Sequence, residues 1–235
     1  MLKVIKYIGL ICSLSLLTAC GEFIDPLEMD VLSGVTISRK QADLMAGDTL
    51  ILNAYLTPEH ARGTFIWNVT EGDSNAVSLT GREVIGRSAG EVRINVKVTS
   101  WGQGDSVTVN RTFTDSCHVS VYDWSVPDSY TFPYETMLIA QLQIDQVDVT
   151  ADLGELRVVA TVDGKVRGVA QLRNDHGIPY LLFRIGSHHY GETAQLECYS
   201  KARYQLIRIG QLTLDGETHG SLSQRQQLQG QFLPQ

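Results

Sequence analysis

The side chains that could do chemistry in this 235-residue chain do not form a known catalytic or metal-binding pattern. His188 and His189 are adjacent, and neighbouring side chains on a strand point to opposite faces, so on a strand they cannot share a metal ion. In a loop they could, but no Cys, Asp or Glu lies beside them at the spacing of a zinc site. The G-x-S-x-G, H-E-x-x-H and P-loop motifs are also missing from the sequence. We therefore predict a protein that is not an enzyme, with no catalytic residue, no metal and no cofactor.

A loose group of carboxylates in the second half of the chain also lacks the pattern of a metal-binding site. A calcium loop needs several oxygens that converge around a tight glycine turn. The spacing of this group matches no such loop, so we interpret it as a solvated acidic loop; its members are Asp145, Asp148, Asp152 and Glu155.

The residue to which the sequence assigns a covalent modification is Cys20. Lys3 and Lys6 precede an apolar run over 7–17, which has the pattern of a secretory signal peptide and is too short for a transmembrane helix. The run ends in Leu17-Thr18-Ala19-Cys20, which resembles the lipobox of bacterial lipoproteins. The resemblance implies a cleaved signal peptide over 1–19, fatty acids such as palmitate on Cys20, and membrane attachment through that lipid. An ordinary secretory signal with an incidental Cys20 is the alternative.

Such an anchor predicts an outer membrane lipoprotein, on either the cell surface or the periplasmic face. Residues 20–33 are expected to form an acidic tether between the lipid and the folded part. The whole chain has 19 basic and 26 acidic residues, a formal charge of −7 and a pI near 5.3. Nucleic-acid binding is disfavoured because no basic surplus is present to neutralise phosphates.

Two further cysteines are expected to be buried and free. Cys117 alternates with Val119 and Val121, and Cys198 alternates with Ala194 and Leu196. This period of two places each thiol on the apolar face of a strand, and the two strands fall in separate predicted domains. We therefore predict two free thiols rather than a disulfide bridge.

Alternation of apolar and polar residues dominates the chain after the signal peptide and predicts an all-β protein. Leu50, Leu52, Ala54 and Leu56 are predicted to line one strand, and Val92, Ile94, Val96 and Val98 another. Glycine-containing turns separate such runs, as in Ala46-Gly47-Asp48 and Thr80-Gly81-Arg82. Short strands at this spacing predict two β-sandwich domains in tandem.

Residues 34–122 resemble the bacterial immunoglobulin-like group 2 (BIG2) domain. The resemblance depends on landmarks in a fixed order: Val35-Thr36-Ile37, Gly47-Asp48-Thr49-Leu50, Pro58, Trp67, Val77-Ser78-Leu79, Gly81, Val84-Ile85-Gly86, Gly90 and Cys117-His118-Val119-Ser120-Val121. It implies an immunoglobulin-like sandwich, in which Trp67 is the large core residue between the sheets. Residues 101–110 depart from the pattern and are predicted to form a long hairpin insertion.

Residues 123–135 are predicted to be a linker, since they carry Pro127 and Pro133 among polar residues. This short segment also holds several aromatic residues that need a partner. They either pack between the two domains or form an exposed strip that binds a glycan or a protein. The candidate ligand or partner contacts, taken together with one residue of the hairpin insertion, are Trp101, Trp124, Tyr130 and Tyr134.

Residues 136–235 are predicted to form the second β-sandwich domain. Strands are expected over 138–144, 158–162, 166–172, 178–185, 194–199 and 206–214, with Asp163-Gly164 as a two-residue hairpin turn. This segment resembles a β-sandwich module found in surface lipoproteins and adhesin-like proteins, on the residues 134–144, Arg167-Gly168-Val169-Ala170, Gly186 and Gly191. The glutamine-rich tail from Ser223 is expected either to add a strand or to fray.

The anchor, the two sandwiches and the lack of catalytic motifs favour a binding protein. We predict a lipid-anchored protein of the cell envelope that presents both modules to a glycan or protein partner in adhesion. The alternative is a non-catalytic structural or assembly accessory of an outer-membrane surface complex.

Overall fold

The structure of the chain is a computed structural model that describes residues 31–100, 111–125, 132–151 and 153–234. Regular structure in these ranges is almost entirely strand; the exception is a 3-10 turn over Ser74–Ala76. The predicted all-β sandwich fold is confirmed. Cys20, Trp101, Tyr130 and Asp152 lie outside the described residues, so the predictions on them stay predictions.

The N-terminal half, residues 31–122, builds three small sheets. Its strands are β1 (Gly34–Ile37), β2 (Gln41–Met45), β3 (Thr49–Ile51), β4 (Ala54–Thr57), β5 (Gly63–Gly72), β6 (Val77–Thr80), β7 (Glu83–Gly86), β8 (Gly90–Ser100) and β9 (Thr112–Tyr122). One sheet has the order β2-β9-β8-β5, a second has the order β3-β7-β6, and β1 pairs with β4. β2 runs parallel to β9, whereas the other pairs are antiparallel.

Alternation in β8 and β9 explains the core of the N-terminal half. Every second residue is buried from Val92 onward in β8 and from Cys117 to Val121 in β9. Val92 and Ile94 pack with the buried residues of β9 against the sheet of β3, β6 and β7, whereas Val96 and Val98 belong to a second cluster with Leu32 and Ala61. Trp67 of β5 is half-buried and contacts both apolar clusters of this half. Trp67 therefore contacts the core without being enclosed by it, since its neighbours Ile66 and Asn68 in β5 are exposed.

The C-terminal half, residues 134–234, is a sandwich of two sheets. Its strands are β10 (Tyr134–Ile144), β11 (Val147–Asp148), β12 (Leu156–Val162), β13 (Lys165–Val169), β14 (Gln171–Asp175), β15 (Ile178–Ser187), β16 (Glu192–Ser200), β17 (Gln205–Leu214), β18 (Thr218–His219) and β19 (Gln226–Gly230). One sheet has the order β11-β10-β15-β14, and β18 and β19 also pair with β10, both in parallel. The other has the order β13-β12-β16-β17.

The core of this sandwich lies between the two sheets. Leu138, Ala140 and Leu142 of β10 are at most 1 % exposed and pack with buried residues of β12, β15 and β16. The Asp163-Gly164 turn joins β12 to β13 with φ values of 50° and 73°. Two consecutive positive φ values are what a tight hairpin turn requires, so the predicted hairpin is confirmed.

The prediction of one strand over Leu50 to Leu56 is wrong. The segment divides into β3, which pairs with β7, and β4, which pairs with β1. Between them Leu52 donates its N–H to the Arg82 carbonyl at 3.0 Å, and the Asn53 carbonyl accepts from Ser38 at 2.7 Å. The chain therefore changes sheets here while its alternation continues, and periodicity alone cannot detect that change.

The prediction of one strand over Val166 to Leu172 is also wrong. The chain passes from β13 in one sheet to β14 in the other, with Ala170 between them. Gly168 makes the crossing possible, because a Cβ on this residue would lie 2.5 Å from the Arg184 carbonyl oxygen. The glycine lets β13 approach β15 of the facing sheet closely.

Cys117 and Cys198 are both fully buried, as the alternation predicts, and both are free thiols. Burial raises the pKa of each thiol to about 12. The two residues belong to different apolar clusters, one in each half.

The two halves meet at a polar junction. Asp48, which is 5 % exposed, accepts hydrogen bonds from the Tyr199 hydroxyl at 3.1 Å and from Lys201 Nζ at 2.9 Å. Tyr204 packs its ring against the N-terminal core and donates its hydroxyl to the Thr49 carbonyl at 2.8 Å. Packed clusters do not by themselves define independently folding units, so the predicted domains over 34–122 and 136–235, with the linker over 123–135, stay a prediction.

Candidate binding surface

The candidate contact residues that the structure describes both pack against tyrosines of the C-terminal half. Trp124 is half-buried and meets the edge of the Tyr199 ring, with ring centroids 6.4 Å apart. Tyr134, the first residue of β10, is half-buried and packs against Tyr190, with centroids 4.1 Å apart. The structure therefore brings Tyr134 next to a residue that the sequence analysis did not select, and Trp124 to the junction of the halves.

Tyr134 and Tyr190 together form what we call the tyrosine platform. Their rings are inclined by 41°, and Tyr190 is 61 % exposed. Exposed tyrosine rings offer a large apolar face with a polar hydroxyl at its edge, and they lose little rotamer freedom on binding. The platform therefore has the chemistry of a surface that stacks on a flat partner group.

Hydrogen bonds hold the turn that carries Tyr190. The Glu192 carboxylate accepts the N–H groups of His188 and His189, each at 3.2 Å. Gly216 lies beneath the Tyr190 ring with a φ of 83°, and a Cβ there would come within 2.6 Å of the ring. The Gly216 N–H donates to the Thr136 hydroxyl at 2.9 Å, which fixes this glycine to β10. The position of Tyr190 is therefore set by two neighbouring turns.

A second aromatic stack lies where the chain enters β10. Arg167 sits over the Phe132 ring at 4.8 Å from its centroid, and the rings of Phe132 and His188 are 5.4 Å apart. Gly186 makes room for Phe132, because a Cβ on this glycine would overlap the ring at 2.0 Å. A cleft of about 280 Å³ borders Phe132, Asp123 and Lys165. Phe132 is thus fixed against the C-terminal half.

Tyr190 lies outside the predicted linker, whose aromatic residues were the candidates that the sequence offered. Tyr190 lies in the His188-His189-Tyr190-Gly191 turn between β15 and β16. The sequence signal that could have identified it is a large aromatic residue directly before a turn glycine, here Tyr190-Gly191. In the structure Gly191 has a φ of 88°. The glutamines of the tail were likewise expected only to form a strand or to fray.

The described ranges hold no group of three or more His, Cys, Asp or Glu side chains that could bind a metal ion. His188 and His189 have ring centroids 6.4 Å apart, and Asp145, Asp148 and Glu155 are solvent-exposed. In the same ranges, no helix has the length and apolar character needed to cross a bilayer.

Comparison with known proteins gives only distant likenesses. No family model matches the chain, so the BIG2 resemblance stays a prediction, and no curated protein matches it. A similar solved structure is the Bacteroides ovatus mixed-linkage glucan utilization locus protein SGBP-B in complex with a mixed-linkage heptasaccharide, at 10 % identity over 80 % of this chain and 48 % of that one, with a TM-score of 0.24.

Two structures of the surface layer protein SbsC are also similar. Domains 4–9 match at 10 % identity over 82 % of this chain and 32 % of that one, with a TM-score of 0.28. Domains 5–6 match at 12 % identity over 81 % and 99 %, with a TM-score of 0.27. This chain thus spans about half of the glucan-locus protein and about a third of the longer SbsC structure. Scores this low establish no shared fold, so no functional inference is transferred from these proteins.

Proposed function

We propose that the protein is a non-enzymatic binding protein of the cell envelope. It is attached to the outer membrane through lipid on Cys20 and presents its β-sandwiches to a glycan or protein partner in adhesion. The observation that carries this proposal is the tyrosine platform, in which a 61 % exposed Tyr190 packs on Tyr134. Tyrosine is enriched among the residues that dominate binding energies.

The fixed position of the Tyr190 ring supports a role in binding rather than incidental exposure of an aromatic side chain. Tyr190 is held by the Glu192 hydrogen bonds beneath its turn and by the close backbone of Gly216. A ring that is already fixed loses less conformational entropy when a partner stacks on it. The flat, partly polar face suits a sugar ring or a planar side chain of a protein partner.

The test compares two exposed tyrosines. The full-length protein, purified in a mild detergent, is applied to a glycan microarray as wild type, as Tyr190→Ala and as Tyr55→Ala. Tyr55 is 59 % exposed on β4, in the other half of the chain, and is therefore a matched control. We expect the Tyr190→Ala variant to bind about tenfold more weakly and the Tyr55→Ala variant to bind like wild type. Equal losses in both variants, or none in either, would contradict the role of the platform.

The membrane attachment is tested separately. We expect wild type to incorporate labelled palmitate and to sediment with membranes, and we expect Cys20→Ala to lose the label and to leave the membrane fraction. Protease treatment of intact cells then distinguishes the cell surface from the periplasmic face. A Cys20→Ala variant that still sediments with membranes in the absence of label would refute the anchor.

A further inference from the structure

A row of glutamines lies on the outer face of the C-terminal sandwich. Parallel pairing of β10 with β19 sets Gln141 beside Gln227 and Gln143 beside Gln229. These residues alternate with Leu142 and Leu228, which are buried in the core, so the amides face away from it. Gln227 Nε2 donates to Gln141 Oε1 at 3.0 Å. The register of this parallel pair, which sequence alternation cannot specify, thus places amides side by side.

The row ends in an open groove of about 510 Å³, which we call the glutamine groove. Its side chains come from β10, from the following turn, from β17 and from the segment at the end of β19; they are Gln143, Asp145, Gln146, Arg208, Gln229 and Gln231. This volume falls within the range of about 300–1,000 Å³ typical of ligand sites.

Backbone geometry fixes the walls of the groove. Asp145 and Gln146 form a turn with φ values of 51° and 67°, and the Asp145 N–H donates to the Gly230 carbonyl at 3.0 Å. Gly230 lets β19 lie close to β17, because a Cβ there would come within 2.6 Å of Ile207 and 2.8 Å of Ile209. The groove is therefore formed by the fold and does not depend on flexible side chains alone.

The amides of the groove are available to a ligand. Across the described residues, Gln143, Gln146, Gln229 and Gln231 make no side-chain hydrogen bond within the protein. Each primary amide offers two donors and an acceptor. A hydroxyl group also donates and accepts hydrogen bonds. A row of free amides is therefore more complementary to a ligand with many hydroxyl groups than to a ligand that carries charges of a single sign.

The remaining lining selects against charged and apolar ligands. The two charged lining residues, Asp145 and Arg208, have opposite signs, and Asp145 also forms an ion pair with Arg203 at 3.9 Å. Among the described lining residues there are therefore no two like charges, as a site for a polyanion or a polycation would require. Apart from Gly230, every lining residue is polar or charged, so the groove offers no anchor for an acyl chain or an apolar peptide. We propose that the glutamine groove binds a neutral glycan through its amides. This inference goes beyond the proposed function, because it adds a second binding site and names the class of ligand for that site.

The groove is a second site, separate from the tyrosine platform. Gln143 and Tyr134 are nine positions apart on β10, which corresponds to about 30 Å along a strand. A substitution in one site therefore leaves the contacts of the other unchanged, and the two proposals can be tested with different variants of the same protein.

The test is affinity electrophoresis of the full-length protein in native detergent gels. The gels contain dextran, laminarin, yeast mannan or xyloglucan as neutral probes, or polygalacturonate as an anionic probe. The test variants are Gln143→Ala/Gln229→Ala and Gln231→Ala. The control is Gln211→Ala, which removes an exposed glutamine of β17 that lies outside the groove. Circular dichroism and thermal unfolding confirm that each variant is folded.

We expect at least one neutral polysaccharide to retard the wild type. Each lost amide contact is expected to weaken binding about fivefold, so the double variant weakens it about 25-fold. The Gln231→Ala variant loses about fivefold, and the Gln211→Ala variant migrates like wild type. Retardation by polygalacturonate alone would overturn the inference.

Two other results overturn the groove without overturning the proposed function. If Tyr190→Ala abolishes retardation and the double glutamine variant does not, the glycan binds at the platform, and the proposed function stands. If no gel retards the wild type, the groove binds none of these glycans, and the proposed function is judged on its own microarray comparison of Tyr190→Ala with Tyr55→Ala.

Discussion

Removing the Asp48 carboxylate tests the junction between the two halves. Asp48 accepts from the fully buried Tyr199 hydroxyl at 3.1 Å and from Lys201 Nζ at 2.9 Å. The Lys201 side chain is 58 % exposed, whereas that of Asp48 is 7 % exposed. Burial and the nearby Asp48 carboxylate raise the pKa of the Tyr199 hydroxyl, so it stays protonated and acts as the donor. The two bonds to Asp48 therefore differ in their exposure to water.

The magnitudes follow from that difference. Asp48→Ala leaves the Tyr199 hydroxyl buried without its acceptor, which costs about 1–3 kcal/mol. The exposed Lys201 contact adds about 0.5 kcal/mol or less, because water replaces the partner. We therefore expect Asp48→Ala to lower the free energy of unfolding by about 1–3.5 kcal/mol, and Tyr199→Phe by about 1–2 kcal/mol. The double variant should lose less than the sum, by a coupling energy of about 1–2 kcal/mol.

The assay is urea unfolding of the full-length protein, followed by tryptophan fluorescence and by far-UV circular dichroism. Lys201→Met is the matched control and should cost at most about 1 kcal/mol, because the lysine side chain is mostly in water. A coupling energy below about 0.5 kcal/mol between Asp48→Ala and Tyr199→Phe would refute the reasoning. A Lys201→Met variant as unstable as Asp48→Ala would also refute it, since the exposed Lys201–Asp48 contact would then account for most of the stabilisation.

Two further predictions concern buried thiols and a close aromatic contact. At pH 8 a pKa of about 12 leaves about one thiol in ten thousand ionised. Maleimide should therefore label peptides containing Cys117 or Cys198 only after denaturation. Labelling of the native protein at either cysteine would contradict their burial. Gly186→Ala should cost about 1–3 kcal/mol, because the new methyl group displaces Phe132. Gly154→Ala, which meets open space, should be nearly neutral in the same urea unfolding assay, and equal effects of the two substitutions would refute the contact.

Local periodicity predicted the strands with the clearest alternation. Buried and less buried side chains alternate strictly along two segments, Leu138 to Ile144 of β10 and Val92 to Val98 of β8. The Asp163-Gly164 turn was predicted because few residue pairs accept two positive φ values. In these segments the structure is determined by residues that are close together in the sequence. The local sequence is therefore sufficient to predict the strand or the turn.

The failures arose where the fold depends on contacts between distant residues. Alternation records which side of a strand is buried but not which sheet buries it, so the division between β3 and β4 and that between β13 and β14 were missed. Parallel pairing of β2 with β9 joins residues more than 70 positions apart, and no local turn signals it. Such pairings leave no trace in a single sequence.

The same limit applies to the candidate sites. Tyr134 was selected from the linker, but its partner Tyr190 lies 56 positions later and becomes its neighbour only through the pairing of β10 with β15. The glutamine groove depends on the register of β10 with β19. A one-residue shift in that register would turn Gln229 towards the core and Leu228 towards water.

The pairing of β10 with β19 also sets the order in which the C-terminal sandwich can mature. Ala140 to Ile144 bond to Gln226 to Gly230, more than 80 residues further along the chain. During synthesis, Ala140 to Ile144 of β10 lack their parallel partner strand until β19 has emerged. Closing so long a loop is slow compared with forming a hairpin such as β12–β13. We therefore expect β19 to pair with β10 later than the local hairpins form, and the glutamine groove to be complete only after that pairing.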